Sequence, residues 1–172
     1  MADQYPEGIS ERHVRGGSGR HVIWWRVGLI ALVLAAALLG LLGGAPAPTT
    51  RVASAAATLA ITTPDRLRNG MLFETRVSAL AKRPIGDAVI AIPAALWRDM
   101  TVNNMIPAPA EEEYVGGEFR FHFGPLEPGE ELALKIDGQI NPPHYSSSGG
   151  RLRLLDGEGE LAAVPLTIKV IP

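Results

Sequence analysis

Residues 27–42 read VGLIALVLAAALLGLL, without one charged or strongly polar side chain. As a helix this run is about 24 Å long at 1.5 Å per residue. Starting at Val22 instead gives about 31 Å, close to the hydrocarbon thickness of a bilayer. The longer version takes in Arg26, whose side chain can snorkel from a helix end to the headgroups. The ten Leu, Ile and Val residues of 27–42 favour insertion by about 3 to 6 kcal/mol on a translocon scale. Trp24 and Trp25 stand where interfacial aromatic anchors belong. A soluble core helix that is apolar all round would need protein on every side, which a small domain cannot supply. The run therefore predicts one N-terminal transmembrane α-helix over residues 22–44. Its anchor residues are Trp24, Trp25, Arg26, Leu34 and Leu38, and the lipid bilayer is its partner.

The flanks set the expected orientation. Arg12, Arg15, Arg20 and Arg26 precede or open the run, and Arg51 alone follows it closely. The positive-inside rule then puts the N-terminus in the cytoplasm and the remainder outside, at the inner (plasma) membrane. Residues 1–21 are polar and glycine-dotted and are expected to form a disordered cytoplasmic tail. Residues 45–57 (APAPTTRVASAAA) read as an extended linker, because alternating Pro and small residues stop a helix. Ala45-Pro-Ala47 and Ala53-Ser-Ala55 both fit a small-x-small cleavage site. Pro48 disfavours cleavage at the first, the second lies far from the apolar run, and the run is long for a signal peptide. A retained anchor is the expectation, and release of a periplasmic domain by cleavage is the alternative. No cysteine is present, which excludes a lipoprotein, disulfides, thiolate metal sites and a Cys nucleophile.

Residues 58–172 alternate with period two in short blocks. Leu59/Ile61/Thr63, Phe73/Thr75/Val77/Ala79, Phe119/Phe121/Phe123, Leu132/Leu134/Ile136 and Val164/Leu166/Ile168/Val170 each mark a strand with one buried face. Residues 87–92 are apolar on both faces, and residues 151–155 and 100–106 are weaker candidates. Turn signals separate the blocks at Arg68-Asn-Gly70, Pro84-Ile-Gly86, Gly116-Gly117, Glu127-Pro-Gly129, Asp137-Gly138, Gly149-Gly150 and Asp156-Gly157. The high Gly and Pro counts, 19 and 14, suit many strands and turns. The expected fold is all-β, an antiparallel sandwich of seven or eight strands.

Two stretches carry a family resemblance. AVIAIP at 88–93 looks like a strand ending in proline, and FGPLEPGEELALKI at 123–136 looks like a Pro-Gly turn and its alternating strand. Together they resemble bacterial immunoglobulin-like envelope domains of the adhesion-repeat type. The usual Asn-x-Gly turn before the second element is replaced here by Lys82-Arg-Pro-Ile-Gly86. The resemblance implies an immunoglobulin-like sandwich used for adhesion, spacing or assembly, with no catalytic site or cofactor.

The residues themselves offer little chemistry. Sixteen Lys and Arg against eighteen Asp and Glu give no nucleic-acid signal. Of the four histidines, His13 and His21 precede the apolar run, while His122 and His144 read as surface positions, too few to build a zinc site. Glu111-Glu-Glu113 reads as a solvated loop, and residues 156–160 as a hairpin turn without EF-hand spacing. Residues 146–150 (SSSGG) read as a flexible loop with no nucleophile elbow. Small residues Ala36 and Gly40 offer a weak helix-pairing face. Trp97 suits either a core or a rim contact to a partner, and Met100, Met105 and Ile106 could extend an apolar patch beside it. The strand at 164–171 reads as a normal internal strand; at a sheet edge it could instead pair with a partner strand. The expectation is a non-enzymatic accessory or assembly subunit touching an unidentified envelope or membrane protein. A periplasmic ligand- or polymer-binding domain freed by cleavage is the runner-up.

Overall fold

The computed structural model describes residues 19–42, 46–141 and 147–171, with side chains from residue 23 onward. It divides into two compact units, residues 1–41 and 42–172. Most of the expected tail, and His144, lie outside the described residues.

In the first unit, helix α1 runs Gly19–Leu38, earlier at both ends than the 22–44 expected. Its end is a Schellman cap. Gly40 takes a left-handed φ of 70°, the Leu41 N–H donates to the Ala36 carbonyl and the Gly40 N–H to that of Ala37, each at 3.0 Å. These bonds satisfy carbonyls that the helix would otherwise orphan. Gly40 thus closes the helix and is no part of a pairing face with Ala36. The cap leaves residues 27–38 as the uncharged helical stretch, about 18 Å long. Among the described residues no helix is long and apolar enough to cross a membrane. Its large apolar side chains are exposed on all sides, as Trp24, Trp25, Leu34 and Leu38 illustrate at 58–88%.

The second unit is all-β. Among the described residues its strands are β1 (Thr49–Ala53), β2 (Ala57–Thr62), β3 (Arg66–Arg68), β4 (Leu72–Ala81), β5 (Ala88–Pro93), β6 (Met100–Ile106), β7 (Glu111–Val115), β8 (Glu118–His122), β9 (Glu131–Ile140), β10 (Ser147–Asp156) and β11 (Gly159–Ile171). Five form a sheet in the order β1-β2-β4-β9-β6, and six a second sheet in the order β3-β11-β10-β5-β8-β7. All pairings are antiparallel except β3 with β11.

The alternation explains the sandwich. Leu59, Ile61, Val77, Ala79, Leu134 and Ile136 from the first sheet join Ile90, Ile92, Phe121, Leu154, Val164 and Ile168 from the second in one buried cluster. Each alternating block turns the face read from sequence inward. Thr63 and Thr75 are the polar exceptions, and their buried hydroxyls share a hydrogen bond at 2.7 Å. β5 is buried on both faces, as its unbroken apolar run requires.

Four readings change. The eight strands legible in the sequence all form, but β1, β3 and β7 are added, each at the end of a sheet. Residues 49–53 are therefore not linker: Thr49 to Ala53 pair with Thr62 to Thr58 of β2. Glu111-Glu-Glu113 is not a loop but lies in β7, paired to β8. Asp137-Gly138 and Gly149-Gly150 are not turns but lie inside β9 and β10, so residues 147–150 belong to a strand. Both glycines make room for a neighbour. A Cβ at Gly138 would lie 2.6 Å from the Phe73 ring and one at Gly150 2.4 Å from Pro93 Cγ. β11 is an internal strand, as expected, with β3 paired to its last residues.

Candidate functional site

Pro93 ends β5, since it cannot continue a ladder through its nitrogen. The chain then folds into a turn over residues 94–99. The Leu96 N–H donates to the Pro93 carbonyl at 2.9 Å and the Trp97 N–H to that of Ala94 at 3.2 Å. Leu96 enters the core at 2% exposure, which leaves Trp97 half-buried above it. Asp99, at φ 59°, swings the chain across to the opposite sheet, where β6 begins at Met100. β6 bulges between Val102 and Asn104, a device that re-aims side chains at a sheet edge.

The chain then returns as the β7–β8 hairpin. Gly116 and Gly117, at φ 60° and 86°, make the tight turn that hairpins of this kind require. The Ala94 N–H donates to the Gly117 carbonyl at 3.0 Å, tying the hairpin to the Trp97 turn. Register places Glu112 opposite Phe121 and Tyr114 opposite Phe119. These four therefore share the inner face, while Glu111, Glu113 and Val115 share the outer one.

The result is a cleft of about 740 Å³ lined by Trp97, Met100, Met105, Tyr114, Phe119 and Phe121. Its aromatic rings form a continuous series. Tyr114 lies 5.1 Å from Phe119, Phe119 is 5.7 Å from Trp97, and Trp97 is 5.7 Å from Phe121, all tilted. Such offset, tilted pairs are the favoured aromatic geometry. Tyr114 is 60% exposed and forms an open wall. Asn103, Asn104, Glu112 and Glu113 add polar groups, the Glu113 carboxylate being held to Arg120 and His122, and among the described residues no lysine or arginine lines the cleft. Trp97, Met100 and Met105, singled out in the sequence, are thus brought together. Tyr114, Glu112 and the asparagines were missed. The two-residue spacing of Glu112 and Tyr114 was their one signal, and it was masked by the acidic run.

The outer face of the same sheet is charged and closely paired. His122 faces away from the phenylalanines as expected, but its side chain is only 22% exposed. Its Nδ1 lies 2.7 Å from Asp87 Oδ2 and its Nε2 3.5 Å from Glu113 Oε1. The second oxygen of Asp87 accepts the Gly124 N–H at 3.2 Å. The hydrogen bond to Asp87 is the main reason the His122 pKa is raised; burial opposes it and Glu113 adds to it. Arg120 reaches Glu158 at 2.7 Å and Glu113 at 3.4 Å, and Arg153 pairs with Glu118 and Glu160. On this face Val89, Ala91 and Leu155 form a small second buried cluster. The arginines and His122 stand opposite or beside these residues in register and shield them, as long cationic side chains do when their heads are held.

Among the described residues no group of three or more His, Asp or Glu side chains could hold a metal ion. What the cleft offers is apolar contact, aromatic faces, two carboxamides, the paired carboxylate of Glu113 and the carboxylate of Glu112, a set suited to holding a ligand. No protein-family model matches the chain, and no curated protein matches it.

Proposed function

We propose that this chain is a non-enzymatic, membrane-anchored interaction module: helix α1 inserts into a bilayer, and the β-domain presents its cleft to another envelope protein outside the cytoplasm. The observation that carries this reading is the convergence of Trp97, Met100 and Met105 with Tyr114 and Phe119 on one open cleft. Hot spots at protein contacts are enriched in large aromatic residues, and methionine adapts to varied partners.

An immunoglobulin-like identity is supported by strand order. Setting β1, β3, β7 and β8 aside, the chain-ordered frame falls into sheets β2-β4-β9-β6 and β5-β10-β11. That is the partition of a constant-type immunoglobulin domain, A-B-E-D against C-F-G. Helix α1 supports anchoring through its exposed apolar surface and the absence of acidic residues from it. A retained helix is favoured over cleavage after Ala55, because that cut would remove β1 and strip β2 of one of its two neighbours.

Two measurements test this. Leu34→Arg places a charge within the apolar stretch of α1 at a cost of up to about 3 kcal/mol, so it should shift the protein out of the membrane fraction; unchanged partition would remove the anchor. A photo-crosslinking residue at Tyr114 of the full chain in native membranes should capture one predominant protein, with capture lost on Trp97→Ala. Capture that is indifferent to Trp97 would remove the cleft as contact face.

A further inference from the structure

Resting on the reading of the cleft as a contact face, we infer that its occupant is an extended segment of a partner protein, lying between β6 and β7. That segment sets an apolar side chain on the Trp97 floor and a lysine or arginine against Glu112.

Three features point to an extended polypeptide. Among the described residues β6 ends one sheet and β7 ends the other, so each has one row of backbone donors and acceptors without a described strand beside it. An added chain satisfies such rows directly. Side chains of an extended segment alternate, so every second one faces the cleft. The floor of Trp97, Met100, Met105 and Phe119 is apolar and, through its two methionines, adaptable in shape.

Charge decides what accompanies the apolar residue. Glu112 lines the cleft and is exposed. The nearest cation across the hairpin, Arg120, is turned to the opposite face and held there by Glu158 and Glu113. Among the described residues no lysine or arginine lines the cleft to neutralise Glu112. An acidic or neutral segment would leave this carboxylate against an apolar chain, whereas a cationic side chain pairs with it. The same acidic run argues against a second copy of this chain. β7 laid beside β7 would bring Glu111, Glu112 and Glu113 against their own kind, and like charges on paired strands repel.

The test uses the full chain in lipid nanodiscs and an immobilised library of synthetic peptides about ten residues long. Bound peptides should share an apolar residue with Lys or Arg two positions away, on the same side of an extended chain. Glu112→Gln should weaken the best of them about fivefold, the effect of one exposed ion pair. Glu112→Lys should switch the selection to Asp or Glu at that position. Glu112 is exposed, so neither variant threatens folding. Selection without charge preference, an unchanged preference in Glu112→Lys, no peptide binding, or binding to a glycan array instead would each overturn the inference. Tyr114 crosslinking that persists alongside any of these would discard only this occupant; loss of both would discard the cleft as a contact face.

Discussion

Replacing Phe121 by alanine tests the core and the cleft at once. Its ring is 5% exposed, in the main buried cluster, and 5.7 Å from Trp97. Removing a buried phenylalanine ring costs about 3 to 5 kcal/mol through lost transfer energy and the cavity left behind. The Trp97 pairing adds roughly 0.5 to 1.5 kcal/mol. Against this, the cavity opens toward the cleft, so water can fill part of it. We expect a loss near 3 kcal/mol. Phe119 is half-buried and lines the same cleft, so Phe119→Ala should cost about half as much by area. Urea unfolding of the full chain in a mild detergent, followed by near-ultraviolet circular dichroism, measures both. A Phe121→Ala loss below about 1 kcal/mol would mean that the two faces of β8 are not divided as described, and a Phe119→Ala loss as large as that of Phe121→Ala would mean that burial along the inner face is not graded as described.

Gly138→Ala should destabilise the domain by about 1 to 3 kcal/mol, because its Cβ would meet the Phe73 ring at 2.6 Å; adding Phe73→Ala should make the glycine change nearly silent in the same assay. Thr63→Val should cost about 1 to 3 kcal/mol by orphaning the Thr75 hydroxyl, and the Thr63→Val/Thr75→Val double variant should recover most of it. The raised His122 pKa means that the folded state holds this proton more tightly than the unfolded chain does. That stabilisation is complete below the ordinary histidine value of 6.5 and fades as pH rises through the raised one. Unfolding midpoints should therefore fall as pH rises from the ordinary histidine value of 6.5 through the raised one, and His122→Gln should remove that part of the slope.

The strands legible in the sequence were those with one face in the core. Phe119, Phe121 and Phe123, or Val164 to Val170, alternate because water and protein lie on opposite sides of them. β1 and β7 are held mainly by backbone pairing at sheet ends, so TTRVA and EEEYV need no apolar rhythm and showed none, while β3 puts Leu67 in the core but is three residues long, too short to show a rhythm. The glycines of β9 and β10 misled for a related reason. Gly138 and Gly150 serve close packing against Phe73 and Pro93, and a turn and a tight contact use the same residue. At the cleft, Trp97, Met100 and Met105 were visible because large apolar residues cluster within nine positions. Tyr114 and Glu112 were not, because their wall exists only once β7 pairs with β8.

That pairing has a mechanical side. β7 touches the sheet through five register pairs with β8 and has no strand on its other flank. Fraying it costs far less than global unfolding, as edge elements generally show in hydrogen exchange. One jaw of the cleft is therefore spring-mounted while the other, β6, is anchored to the long strand β9. If the cleft holds the proposed segment, the amides of β7 should slow their exchange when it binds.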